Sequence, residues 1–133
     1  MQEIKRSYIV NFWGIGNDII EIKRIEKAIS KENFIKKVFT EKELEYIISK
    51  GNRSETYAGK FSAKEAVSKA LGTGVRGFSP NDIEILNNNL GKPYVIFKNS
   101  IEHFNNKYFV DIAISHCKEY ATATAIIFKK SES

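Results

Sequence analysis

The sequence of 133 residues has one cysteine, Cys117, and only two prolines. A single thiol excludes an internal disulfide framework and any zinc cage built on cysteines. No apolar run approaches the roughly 20 residues that a bilayer-spanning helix needs, so no membrane partner is expected. Near the start, Lys5 and Arg6 precede an apolar stretch over 8–13 that faintly resembles a leader. Asn11 breaks that stretch, no small-residue cleavage site follows, and Asp18 arrives soon after, so a soluble, cytoplasmic protein is expected. No internal repeat or low-complexity tract appears, and the length fits one domain spanning 1–133.

What the chain does have is a surplus of positive charge, 21 Lys+Arg against 16 Asp+Glu, a net +5. That surplus suits an anionic partner: nucleic acid, nucleotide phosphates, an acidic protein or a membrane surface. Charge alone does not choose among them. The hydrophobic content of 42% is ordinary for a globular fold.

Residues 8–20, rich in Ile, Val and aromatics, read as a strand with an end near Gly14 or Gly16. Ile22, Ile25 and Ile29 then recur at i, i+3, i+7, the spacing of one face of a helix over 22–31. Thr40-Glu41-Lys42-Glu43 is a capping box opening a second helix, with Leu44, Ile47 and Ile48 on its apolar side and Gly51 at its end. A third helix is predicted over 54–71, with Gly72 as its C-cap. Beyond Pro80 the pattern turns to β. Short strands over 82–86 and 94–97 flank a polar turn, a short helix covers 100–106, and strands over 110–115 and 121–128 form a hairpin. The order argues for an α+β fold with an antiparallel sheet.

Gly72-Thr73-Gly74-Val75-Arg76-Gly77 matches the dinucleotide signature G-x-G-x-x-G, but in the wrong context. The mechanism needs that loop to open a helix, whereas here it follows one, at the negative end of the dipole. A helix over 58–71 places Ala63, Ala66, Val67 and Ala70 in a small-residue stripe. Glu65 and Lys69 sit roughly opposite, at i, i+4, with Ser62 beside them. On spacing alone, such a pair is an exposed ion pair worth a few tenths of a kcal/mol. Its setting is unusual, however: Arg53, Lys60, Lys64 and Lys69 crowd the segment. A carboxylate among several cations is suited to hold Mg²⁺ beside phosphates. Asp18, charged within an apolar strand, is either a strand-ending turn residue or a second ligand for that ion. Arg24, Lys27 and Lys31, at i, i+3, i+7, form either a solvated basic face or a docking surface for an acidic partner. His116 at a strand end is either structural or a phosphate contact, and His103 is given no role. The aromatics are dispersed rather than interleaved with basic residues, which disfavours nucleic acid as the partner.

Taken together, the segments resemble the holo-[acyl-carrier-protein] synthase family of small 4′-phosphopantetheinyl transferases over about 14–128. The resemblance rests on Gly14-Ile15-Gly16-Asn17-Asp18-Ile19-Ile20-Glu21-Ile22 with Arg24-Ile25, and on Phe39-Thr40-Glu41-Lys42-Glu43. Its centre is the run from Ala58-Gly59-Lys60-Phe61-Ser62-Ala63-Lys64-Glu65 to Lys69-Ala70-Leu71-Gly72-Thr73-Gly74. Asp82-Ile83-Glu84-Ile85, Gly91-Lys92-Pro93 and Ser115-His116 complete it. The resemblance implies transfer of 4′-phosphopantetheine from coenzyme A to a serine of apo acyl carrier protein, for fatty acid biosynthesis, with adenosine 3′,5′-bisphosphate released. It implies a fold with N-terminal helices packed on an antiparallel sheet, and a homotrimer with active sites between subunits. Asp18 and Glu65 would hold Mg²⁺. Glu65, directly or by way of water, would help deprotonate the serine, and Lys69 would stabilise charge or protonate the leaving group. Arg53, Lys60, Lys64, Lys69, Gly72, Gly74, Lys92, Pro93 and His116 would bind coenzyme A. Arg24, with Lys27 and Lys31, would dock the acidic carrier. Asn17 stands where the family usually has Thr, and Lys60 where Arg is common, which trades a bidentate fork for a point charge. Residues 1–12 extend beyond the usual start and have no assigned role.

Overall fold

The computed structural model describes residues 10–72 and 77–131. Gly74 and most of the 1–12 extension lie outside the described residues. Strand β1 (Val10–Glu21) runs directly into helix α1 (Ile22–Ala28), followed by α2 (Glu32–Val38), α3 (Glu41–Ser49) and the long α4 (Ser54–Leu71). Strands β2 (Ile83–Asn87) and β3 (Pro93–Phe97) form an antiparallel pair. A one-turn helix α5 (Phe104–Lys107) precedes β4 (Tyr108–His116) and β5 (Tyr120–Lys130). The main sheet is antiparallel in the order β1-β5-β4, and no described helix is long and apolar enough to cross a membrane.

The α+β architecture is as expected, with several local corrections. β1 does not stop at its glycines but continues through them, with a register shift between Phe12 and Gly14. The glycines serve packing instead. A Cβ on Gly14 would run into the Ala70 carbonyl oxygen, and one on Gly16 into that of Ala66. Backbone of β1 and backbone of α4 therefore meet where Gly faces Ala. The first helix ends at Ala28, not 31: the Ser30 hydroxyl donates to the Lys27 carbonyl at 2.7 Å, and Lys31 is extended at the start of α2. That seven-residue second helix was not expected. Its signal is Phe34, Ile35 and Val38 on one side, which the turn at Ser30 separates from the preceding period.

The capping box at Thr40 is present: its hydroxyl accepts from the Glu43 N–H at 3.2 Å, and Glu43 accepts from the Thr40 N–H at 2.8 Å. The apolar side of α3 differs from the expectation, because Ile48 is exposed while Glu43 is fully buried beside Ile47. The main core lies between α4 and the three-stranded sheet, built from Ala63, Ala66, Val67, Ala70, Ile112, Ala123, Ala125 and Ile127 and continuing under β2 and β3. A second cluster joins α1, α2 and α3 to the N-terminal part of α4 through Ile25, Val38, Phe39, Ile47 and Tyr57.

Candidate active site

Side chains on a strand alternate, so Gly14, Gly16 and Asp18 of β1 share one face, the face against α4. One helical turn advances about as far as two strand residues. The contacts follow that rule: Gly14 meets Ala70, Gly16 meets Ala66, and Asp18 meets Ser62. Asp18 is thus the first position of this row at which a side chain fits, and it neither ends the strand nor caps a turn.

The Asp18 carboxylate is held from two sides. Ser62, fully buried, donates to Oδ2 at 3.0 Å, and the Lys69 ammonium lies 3.3 Å from Oδ1. Lys69 also donates to the Asn17 carbonyl at 3.0 Å, and the Thr122 hydroxyl to the Asp18 carbonyl at 2.7 Å. Glu65, half-buried on the same helix, completes the group. Partial burial and then the Asp18 charge push its carboxyl above the ordinary carboxylate range, while Lys69 pulls it back. Among the described residues, these two carboxylates are served by the Lys69 ammonium alone, which leaves the site short of positive charge. The donor set fits a hard divalent ion, which takes one or two carboxylates and fills its shell with phosphate oxygens and water.

The other cations expected around this pair divide between places. Lys64 does not face the site. It is 1% exposed, ion-paired to Glu43 at 2.8 Å, and donates to the carbonyls of Ile83 at 2.5 Å and Pro80 at 3.1 Å. Helical geometry explains the correction: Lys64 is about 100° from Glu65, which turns it onto β2. Lys60, one turn earlier, is also buried, donating to the Ile85 carbonyl at 2.6 Å and Asn87 Oδ1 at 2.9 Å, so its charge is committed within the fold. Its stem nonetheless lines a groove of about 290 Å³ together with Pro93, His116, Glu55 and Tyr46. Arg53 pairs with Glu55 at 2.7 Å, and a backbone hydrogen bond and then this Arg53 contact hold the Glu55 carboxyl below its usual range. Lys92 points elsewhere, 3.1 Å from Asp111 at the surface. Gly72, at φ +99°, caps α4 as expected and lines a separate cavity with Trp13. Arg24 and Lys27 are exposed on α1, whereas Lys31, also exposed, belongs to the next element and not to their helical face.

Residues 14–125 match the model of the 4′-phosphopantetheinyl transferase superfamily. The chain belongs to this superfamily. A holo-[acyl-carrier-protein] synthase of Fusobacterium nucleatum is 64% identical over 118 residues, covering 86% of this chain and 97% of the relative. One of Clostridium perfringens is 52% identical over 122 residues, covering 86% and 92%. A crystal structure of the Bacillus anthracis holo-(acyl-carrier-protein) synthase, in complex with CoA (3′,5′-ADP), superposes with a TM-score of 0.72 at 39% identity, covering 88% of this chain and 96% of that one.

In this phosphopantetheinyl transferase, the sequence pointed to Asp18, Glu65 and Lys69 and left two supports unread. Thr122 is on β5, far along the chain, and only its cross-strand place beside Ile19 betrays it. Glu43 was visible as a capping residue, but its second oxygen, which accepts from the Ile85 N–H at 2.6 Å, could not be.

Proposed function

We propose that the chain transfers 4′-phosphopantetheine from coenzyme A to a serine of apo acyl carrier protein, with Mg²⁺, releasing adenosine 3′,5′-bisphosphate, in service of fatty acid synthesis. The observation that carries this reading is the carboxylate pair Asp18 and Glu65 beside the Lys69 ammonium. It stands where the family motif would put it, in a chain 64% identical to a synthase of that name.

In the reaction the serine oxygen attacks the phosphorus that bears pantetheine. The P–O bond to the nucleotide breaks, and its electron pair stays on the released bisphosphate. The serine proton must leave as the new bond forms. Glu65, half-buried beside Asp18, is suited to take it, directly or by way of water. Lys69, exposed and held by Asp18 and the Asn17 carbonyl, offers its remaining N–H to a phosphate oxygen or the leaving group. Bound between Asp18 and Glu65, Mg²⁺ would supply charge neutralisation for the pyrophosphate. The groove lined by Pro93 and His116 is the place for the nucleotide, with Arg53 at its edge through Glu55. Arg24 and Lys27 present two exposed charges to an acidic carrier.

The uncovered face of the main sheet supports self-association into the homotrimer that the family resemblance implies. Phe12, Ile15 and Ile19 are about 60% exposed along β1, next to Phe128, Ile126 and Thr122 of β5. So many exposed apolar side chains on one face suit a protein interface, and a site completed by a neighbouring copy follows. The test is incubation with coenzyme A, Mg²⁺ and apo acyl carrier protein, read by intact mass. A gain of one phosphopantetheine per carrier is expected, and an unmodified carrier overturns the reading. Sedimentation at micromolar concentration should give three times the chain mass, and a stable monomer removes the shared site.

A further inference from the structure

Resting on the metal reading of Asp18 and Glu65, we propose that Ser62 is a positioning residue: its hydroxyl orients the Asp18 carboxylate for the divalent ion. Ser62 is fully buried in α4, and its side chain reaches across to β1, 3.0 Å from Asp18 Oδ2 and 3.1 Å from the Asp18 main-chain oxygen. A hydroxyl has one proton to give. Of its two acceptors Oδ2 is the nearer and the charged one, so the Ser62 proton favours it, while Thr122 serves the main-chain oxygen at 2.7 Å. Oδ1 takes the Lys69 ammonium at 3.3 Å. The two hydroxyls therefore divide the work on one residue, Thr122 holding its backbone and Ser62 its side chain.

This arrangement differs from the contact with Lys69. An exposed ammonium neutralises Asp18 and competes with an incoming cation, whereas a neutral hydroxyl leaves the carboxylate its full charge. A carboxylate oxygen keeps a second lone pair after accepting one hydrogen bond, so Oδ2 remains able to serve as a ligand. Fixing that oxygen beforehand lowers the ordering cost that would otherwise weaken binding. Hydrogen bonds of this kind to metal-binding groups change metal affinity by roughly 10–100-fold when removed.

The test is the dissociation constant of Mn²⁺, read by electron paramagnetic resonance of the free ion, with coenzyme A present and no carrier. Ser62→Ala should weaken Mn²⁺ about tenfold and raise the KM for Mg²⁺ in parallel, while kcat at saturating Mg²⁺ stays within about threefold of wild type. Its melting temperature should show that the fold is intact. Ser62→Cys, similar in shape but a weak donor, should fall between, and serves in its place if the alanine variant fails to fold. Equal Mn²⁺ affinity in wild type and variants overturns the role of Ser62. If wild type itself binds no Mn²⁺, the metal reading fails and this inference falls with it.

Discussion

Helix α4 carries lysines to two destinations, and the contrast shows how burial assigns a role. On one side, Lys69 is exposed beside Asp18 and Glu65, with two N–H bonds on Asn17 and Asp18 and one left toward solvent. On the other, Lys60 and Lys64 are buried one turn apart against β2. Their ammonium groups donate to the Ile85 and Ile83 carbonyls, and between them Glu43 accepts from the Ile85 N–H. β3 pairs with one edge of β2, and three charged side chains satisfy the other in place of a further strand. The residue type is the same on both sides. What differs is whether water can reach the charge. Lys64 spends its three protons on Pro80, Ile83 and Glu43. Lys60 gives two to Ile85 and Asn87 with its head 4.6 Å from the Tyr46 ring, whereas Lys69 opens to solvent.

Substitutions can break this contrast, and the largest effect belongs to the exposed side. Glu65→Gln should lower kcat/KM for carrier modification on the order of 10³-fold, the scale of losing both a general base and charge complementarity. Its unfolding midpoint should stay near wild type, and a variant that still modifies carrier at full rate defeats the assignment. On the buried side the pattern reverses. Lys64→Met leaves the Glu43 carboxylate buried without its cation and should cost about 3–5 kcal/mol in urea unfolding, with specific activity of the folded fraction retained. Adding Glu43→Leu should recover part of that loss, and strict additivity would show that the pair is not coupled.

Gly16→Ala tests the junction between the two sides, since its methyl has no space against the Ala66 carbonyl. A destabilisation of about 3 kcal/mol is expected, with reduced metal affinity as Asp18 shifts along with the strand. A pH dependence tests the buried side without removing a contact from wild type. Burial lowers the Lys60 pKa to about 8, against 10.5 for a free lysine. Between those values the unfolded chain binds more protons than the folded one, so stability gains with rising pH from about 8 toward 10.5. Wild type should therefore gain stability relative to Lys60→Met across that window, and parallel curves would contradict the burial of its charge.

The row Gly14, Gly16, Asp18 was not legible in the sequence, because its glycines carry no side-chain signal and read as a strand end. The helix stripe Ala63, Ala66, Val67 and Ala70 was legible, because period 3.6 is a local property of the backbone. Glu65 and Lys69 at i, i+4 were legible for the same reason. The direction of Lys60 and Lys64 was not, since it depends on β2, some 20 residues further along. Their positive charges raised the apparent basicity of the site although neither faces it. The short α2 escaped notice because one turn's worth of apolar signal, cut off by Ser30, is too little to define a period.

The scarcity of cysteine and proline and the lack of long apolar runs left an ordinary α+β domain, and motif order alone carried the chain to its family. Sequence by itself determined which side chains could do chemistry, because a carboxylate or an ammonium is what it is wherever it lies. Tertiary structure alone decided which of them are available. Packing of β1 and β2 on opposite flanks of one helix left Lys69 in water and took Lys60 and Lys64 out of it. Desolvation is a property of the assembled fold and has no local signature in the chain.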